Sequence, residues 1–186
     1  MRVLVTGANG FLGKNLLLYL RERGVETTIF TRDSNWQQLA ESLANVDFVY
    51  HLAGVNRPQD PTEFAEGNKG LTERLCELIR ASNRKIPVLY TSSEQAELNN
   101  SYGASKLAAE EALVKLEKTT RSPVYIYRLP NVFGKWSRPN YNSVVATFCY
   151  NIARDLPIEI NDPNAVVRLV YIDDVIKSFI SILKGL

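Results

Sequence analysis

Apolar positions along the chain fall into short unbroken runs separated by longer stretches of helical spacing. Residues 3–6 form the first run and lead into a glycine-rich turn, after which Leu12, Leu16, Leu17 and Leu20 recur as on one face of a helix. Gly24 is placed to stop that helix, and residues 27–31, mostly β-branched, resume a strand pattern. Further apolar runs at 48–53, 88–92 and 124–129 alternate with helical periodicity at 71–79 and 107–116. Strands that are apolar throughout, rather than at every second position, are covered on both faces, and a β-α alternation makes them parallel. The pattern predicts an α/β fold with a doubly wound parallel sheet.

From Asn131 the regularity fades into a segment rich in Pro and Asn. A helix at 143–152, short strands at 157–160 and 166–172, and a final helix at 175–183 are expected there. Residues 1–130 are read as the sheet-bearing part. Residues 131–186 are read as a substrate-binding part continuous with the same domain and incomplete at its C-terminus.

The chain has 186 residues and a net charge of +2, the scale of one ordinary globular domain. No apolar run approaches the roughly 18 residues that cross a bilayer, so no membrane partner is expected. The first residues enter a strand directly, without the basic and apolar regions of a signal peptide, which points to the cytoplasm. Basic clusters with stacking aromatics are missing, so nucleic acid is not an expected partner. Cys76 and Cys149 are far apart in apolar stretches and read as reduced core residues. One histidine, His51, and no ligand cluster give no metal site.

Gly7, Gly10 and Gly13 have the spacing G-x-x-G-x-x-G where a strand turns into a helix. Gly7 suits the tight turn, Gly10 lets backbone approach a pyrophosphate, and Gly13 permits close helix packing, with the helix N-terminus favouring the anion. Together with Asn9, Phe11 and Leu12 they form the candidate cradle of a dinucleotide; a turn that merely reverses the chain is the alternative. An acidic residue at the end of the second strand would hold the ribose hydroxyl of NAD(H). Thr31 and Arg32 stand there instead, and a guanidinium pairs with a 2′-phosphate, favouring NADP(H) over NAD(H). Asp33 beside them pulls the other way, and a solvated Arg32 is the alternative.

Tyr102 and Lys106 are four apart at the start of a helix, hence on one face. A neighbouring ammonium favours the phenolate of a tyrosine. The runs VLYTSSEQA and SYGASKLAAEE, with the glycine turn upstream, resemble extended short-chain dehydrogenases/reductases. The resemblance implies a triad of Ser93, Tyr102 and Lys106, with Ser93 rather than Ser92 at the second position of the family's serine pair. It implies that Tyr102 exchanges a proton with a sugar oxygen, that Ser93 hydrogen-bonds the same oxygen, and that Lys106 holds the nicotinamide ribose while lowering the tyrosine pKa. The run DFVYHLAG is similar to a family strand whose end touches the cofactor. That adds Leu52, Ala53 and Gly54 to the cofactor residues and leaves His51 a structural role.

The family's dehydratases follow their Thr with an Asp-Glu pair, whereas Glu94-Gln95 follow Ser93 here, and a glutamine cannot titrate. Reduction of a keto sugar and 4-epimerisation stay open, and Arg32 favours reduction. Runs such as HLAGVNRP and YIYRLPNVFGKW look like the reductase part of bifunctional capsular polysaccharide enzymes, which carry a further cupin domain. That resemblance implies NADPH-dependent reduction of a UDP-4-keto-6-deoxy-N-acetylhexosamine. It assigns Asn131 and Arg168 to the substrate diphosphate, with a turn role for Asn131 and a salt bridge from Arg168 to Asp173 or Asp174 as alternatives. It also implies a homodimer through the helices at 71–79 and 102–116. A non-catalytic NADP(H) sensor is the reading from another functional class.

Overall fold

The computed structural model describes residues 1–60 and 62–185. Chain contacts divide it into two compact units, Met1–Arg128 and Leu129–Leu186.

In the first unit, β1 (Arg2–Thr6), β2 (Glu26–Phe30), β3 (Phe48–His51), β4 (Val88–Ser93) and β5 (Val124–Leu129) form one sheet in the order β2-β1-β3-β4-β5. The five strands are parallel and flanked by helices, the Rossmann-like architecture expected of the apolar runs. After β1 comes α1 (Phe11–Glu22), whose end is followed by Gly24 at φ +64°, the left-handed conformation expected of it. After β2 comes α2 (Trp36–Leu43), and between β3 and β4 a short α3 (Thr62–Phe64) runs through a π-helical segment, Ala65–Gly70, into α4 (Leu71–Ala81). A 3-10 turn, Glu94–Glu97, links β4 to α5 (Ser101–Thr120).

The core explains why the pattern was so regular. Leu4, Val49, Val88 and Tyr90 of the sheet are buried with Leu39 and Leu43 of α2, Leu75 and Ile79 of α4, and Leu113 and Leu116 of α5. Val3 and Val5 are equally buried and, by the strand's period of two, face the other side. Burial of each such side chain contributes roughly 1.5–3 kcal/mol, so the sheet is a stiff base for whatever its edge carries.

The second unit contains β6 (Asn131–Phe133), α6 (Val144–Ile152), β7 (Leu169–Tyr171) and α7 (Ile172–Lys184), with β6 and β7 paired in parallel. Two expectations fail here. Residues 157–160 form no strand: Ile158 and Ile160 are exposed, and an apolar alternation without a partner strand satisfies no backbone groups. Cys149 is exposed rather than in a core, because α6 is apolar on most faces and its spacing does not single out a buried one. Cys76 is buried as expected. The predicted strand at 166–172 shortens to β7, since Ile172 already begins α7 and Val166 lies in the open. Among the described residues no helix is long and apolar enough to cross a membrane.

Candidate active site

The chain steps over β1 in passing from β2 to β3, so the sheet order reverses at β1, the position where such sheets hold ligands at their carboxyl ends. Thr6, the last residue of β1, pairs with Phe30 of β2 and His51 of β3. The segments just beyond these three residues, Gly7–Gly13, Thr31–Arg32 and Leu52–Gly54, therefore emerge side by side.

Gly7 has φ +71°, and a Cβ there would lie 2.6 Å from the Ala53 nitrogen. A Cβ on Gly13 would lie 2.2 Å from the Gly7 carbonyl oxygen. Both glycines are thus spent on packing the turn against its neighbours. Gly10 differs: it caps α1 with no side-chain hydrogen bond, and the first turn of that helix carries no acidic residue. Asn9 and Gly10 are exposed, with Phe11 and Leu12 half-buried behind them. An uncapped helix start with open backbone in front fits the diphosphate of a dinucleotide. Arg32 is exposed in a tight turn that Ser34 closes, its hydroxyl accepting from the Thr31 N–H at 3.1 Å. Leu52 and Ala53 are half-buried and Gly54 is exposed.

His51 is wholly buried, with Nδ1 2.8 Å from Thr6 Oγ1 and Nε2 2.9 Å from Thr72 Oγ1. Thr72 donates its one hydroxyl proton to the Asn68 carbonyl, so it accepts from Nε2–H; Thr6 then donates to Nδ1 and accepts the Ala53 N–H at 3.2 Å. The imidazole is neutral and satisfied at both ends. Burial, and secondarily the charge of Lys106, press its pKa from 6.5 to about 3. Because the folded value lies below the unfolded one, its contribution to stability is complete above about pH 6.5 and is lost as pH falls towards 3. His51→Gln is expected to flatten the fall of melting temperature over that range, and thermal melts at a series of pH values would check it.

On β4 successive side chains alternate between faces. The buried Ser92 hydroxyl donates to Glu110 Oε1 at 2.5 Å, whereas Ser93, on the opposite face, accepts the Gln95 N–H at 3.2 Å and is the side chain that acts on the Tyr102 phenol. The structure thus brings Ser93, not Ser92, to Tyr102. Asn100 caps α5 by accepting the Gly103 N–H at 2.7 Å. A Cβ on Gly103 would meet the Gln95 carbonyl oxygen at 2.0 Å, so glycine beside Tyr102 is what lets α5 start hard against the turn after Ser93. Burial raises the Tyr102 pKa above its usual value of 10, and the neighbouring Ser93 hydroxyl works in the other direction.

Lys106 lies one turn along α5 and is 5 % exposed. Its Nζ donates to the Thr91 carbonyl at 2.7 Å and sits 4.4 Å from the centroid of the Tyr90 ring. Burial lowers its pKa to about 7, against the pull of Glu110. The influences on the Tyr102 phenol are burial and Ser93; the ammonium expected to lower it is turned towards β4 instead.

Two residues at this site escaped the sequence reading. Asn68, in the π-helical segment, accepts the Val55 N–H at 3.0 Å and donates to the Val55 carbonyl and to Ser105 Oγ, each at 2.9 Å. It ties the loop after β3 to α5. An asparagine inside a helical stretch flanked by Gly67 and Gly70 is the signal that would have found it, since its propensity is poor and such π segments gather at sites. The other is Glu110, one turn beyond Lys106. In the second unit, Asn131 and Arg168 are exposed neighbours, joined by the Asn131 N–H and the Arg168 carbonyl at 3.1 Å.

The chain is 60 % identical over all 186 residues to UDP-2-acetamido-2,6-beta-L-arabino-hexul-4-ose reductase of Pseudomonas aeruginosa, covering 50 % of that protein. It superposes on the crystal structure of the capsular polysaccharide assembling protein CapF from Staphylococcus aureus with a TM-score of 0.86 at 42 % identity, over the whole chain and 50 % of CapF. The chain thus spans about half the length of these relatives. UDP-glucuronic acid 4-epimerase from Bacillus cereus shares the fold at 21 % identity, with a TM-score of 0.86 over 99 % of this chain and 74 % of that one. The sequence pattern of the NAD dependent epimerase/dehydratase family matches residues 3–185, nearly the entire chain, and the protein belongs to that family.

Proposed function

We propose that the protein carries the NADPH-dependent reduction of a UDP-4-keto-6-deoxy-N-acetylhexosamine, a precursor step in capsular or surface polysaccharide synthesis. The observation that carries this reading is the placing of Ser93 beside the half-buried Tyr102 phenol, with Lys106 one helical turn further on, at the same end of the sheet as the glycine turn. The whole-chain identity to a UDP-sugar 4-keto reductase supports the choice of sugar class. When bound, the reduced nicotinamide supplies the hydride that the keto carbon accepts. Tyr102 delivers a proton to the carbonyl oxygen as charge builds there, and its raised pKa keeps the phenol protonated until then. Ser93 donates a hydrogen bond to the same oxygen, and the Lys106 ammonium holds the nicotinamide ribose. The test is loss of NADPH absorbance with this keto sugar; NADPH bound without any turnover would favour a non-catalytic sensor.

Arg32 selects the cofactor in this reading. NADPH is expected to bind at least about tenfold more tightly than NADH, since charge-assisted pairs contribute roughly 1.5–3 kcal/mol. Arg32→Ala should largely erase the preference in fluorescence titrations, and equal affinities for the unmodified chain would remove the assignment.

The chain also pairs with a second copy in this reading. On α5, Leu107 and Val114 are both 37 % exposed, and on the adjoining α4, Leu71 and Leu78 are only partly buried; each pair is spaced by two turns. Sedimentation at micromolar concentration is expected to show a dimer, and a monomer would count against it.

A further inference from the structure

Tyr102, Lys106 and Glu110 recur every fourth residue along α5 and so form one stripe, but only the first two enter the reaction as read above. Glu110 is 6 % exposed, and both its oxygens are engaged. Arg128 of β5 donates from Nε to Oε1 at 3.0 Å and from Nη2 to Oε2 at 2.7 Å, while Ser92 donates to Oε1. Arg128 reaches on to Glu97 with Nη1 at 2.7 Å. This carboxylate lies one turn from a buried ammonium whose hydrogen-bond acceptor is a neutral carbonyl.

We propose that Glu110 is a positioning residue for this site: clamped by Arg128 and Ser92, its carboxylate keeps the buried Lys106 ammonium charged and seated on β4. The role rests on the reading of Lys106 given above. The groups facing Lys106 from each packed element are few. On α5 itself they are Tyr102 and Glu110; from β4 come the Tyr90 ring and the Thr91 carbonyl; from β3 comes the neutral His51. Gly54 and the Asn68 amide lie on the remaining side, where a Cβ on Gly54 would be 3.5 Å from Nζ. Of these, Glu110 carries the opposing charge.

The charge of Lys106 is read directly by NMR titration of lysine side chains labelled at Cε in the full chain, its signal being the one lost in Lys106→Met. In Glu110→Gln, which keeps the shape of the side chain, the Lys106 midpoint is expected to fall by about 1 unit or more, the scale of one opposing charge at close range. In Arg128→Met, which removes a positive charge and leaves Glu110 in place, the midpoint is expected to rise. A salt bridge that serves only to hold β5 to α5 would leave the midpoint unmoved or shift it the same way in both variants, and either result overturns the proposal. If Glu110→Gln does not fold, the rise in Arg128→Met decides alone. Because no substrate is needed, the titration separates two failures. A shifted midpoint in a chain that reduces no keto sugar removes the proposed function and keeps the coupling; an unmoved midpoint in an active chain removes only the coupling.

Discussion

Replacing Tyr102 by phenylalanine is expected to lower turnover with a UDP-4-keto-6-deoxy-N-acetylhexosamine by about 100- to 10 000-fold, the usual contribution of one positioned acid. The ring that packs beside Phe64, with centroids 5.6 Å apart, stays in place, so the fold survives. Ser93 keeps the hydrogen bond it accepts from the Gln95 N–H. What disappears is the proton given to the carbonyl oxygen while hydride arrives. That interaction is made chiefly in the transition state, so the loss falls on kcat and leaves NADPH affinity nearly unchanged. Steady-state kinetics beside a fluorescence titration of NADPH would check both halves. Near-normal turnover with intact binding would return Tyr102 to a packing role.

Gly13→Ala is expected to weaken NADPH binding by roughly 10- to 100-fold and to lower the melting temperature. The added Cβ would sit 2.2 Å from the Gly7 carbonyl oxygen and 2.8 Å from the Ala8 backbone. None of these atoms belongs to a side chain that can rotate away, so α1 must shift relative to the turn. Overpacking of this kind costs about 1–3 kcal/mol, and each 1.4 kcal/mol is a factor of ten in affinity. Gly70→Ala is the control. Its nearest neighbour is the Ala65 carbonyl oxygen at 3.6 Å, an ordinary contact, and alanine is the better helix former there. Tolerance of both changes alike would mean that the glycine turn is looser than its geometry.

How much of this was legible beforehand depended on whether a residue's role was local. The runs at 48–53 and 88–92 announced β3 and β4 because burial on both faces favours apolar positions throughout, whereas 124–129 announced β5, a half-buried edge strand carrying Arg128, through its Val, Ile and Tyr content. α2 was invisible to the same reasoning: its buried residues are Leu39 and Leu43 alone, Trp36 is exposed, and the rest of WQQLAESL is polar apart from Ala40. Its signature was instead the capping box, Asn35 and Gln38 exchanging side-chain and backbone hydrogen bonds. The triad could be named from motif resemblance, yet which serine meets Tyr102 is decided by the strand's period of two. Asn68 and Glu110 were silent because their partners, Val55, Ser105, Ser92 and Arg128, are 13 to 37 residues away along the chain. Apolar alternation at 157–160 misled for the converse reason, since a strand exists only with a neighbour to pair with.

The burial of Lys106 reaches beyond the reaction. Its folded pKa of about 7 lies below the 10.5 of an unburied lysine, so between these values the unfolded chain binds the additional proton. Stability therefore rises with pH across that window and is penalised most below it. A library of variants ranked by heat resistance alone, in neutral or mildly acidic buffer, would reward apolar replacements at position 106 and discard the cation assigned to the ribose. Engineering this scaffold for robustness calls for a cofactor-binding screen run beside the thermal one, or for gains sought on elements remote from α5.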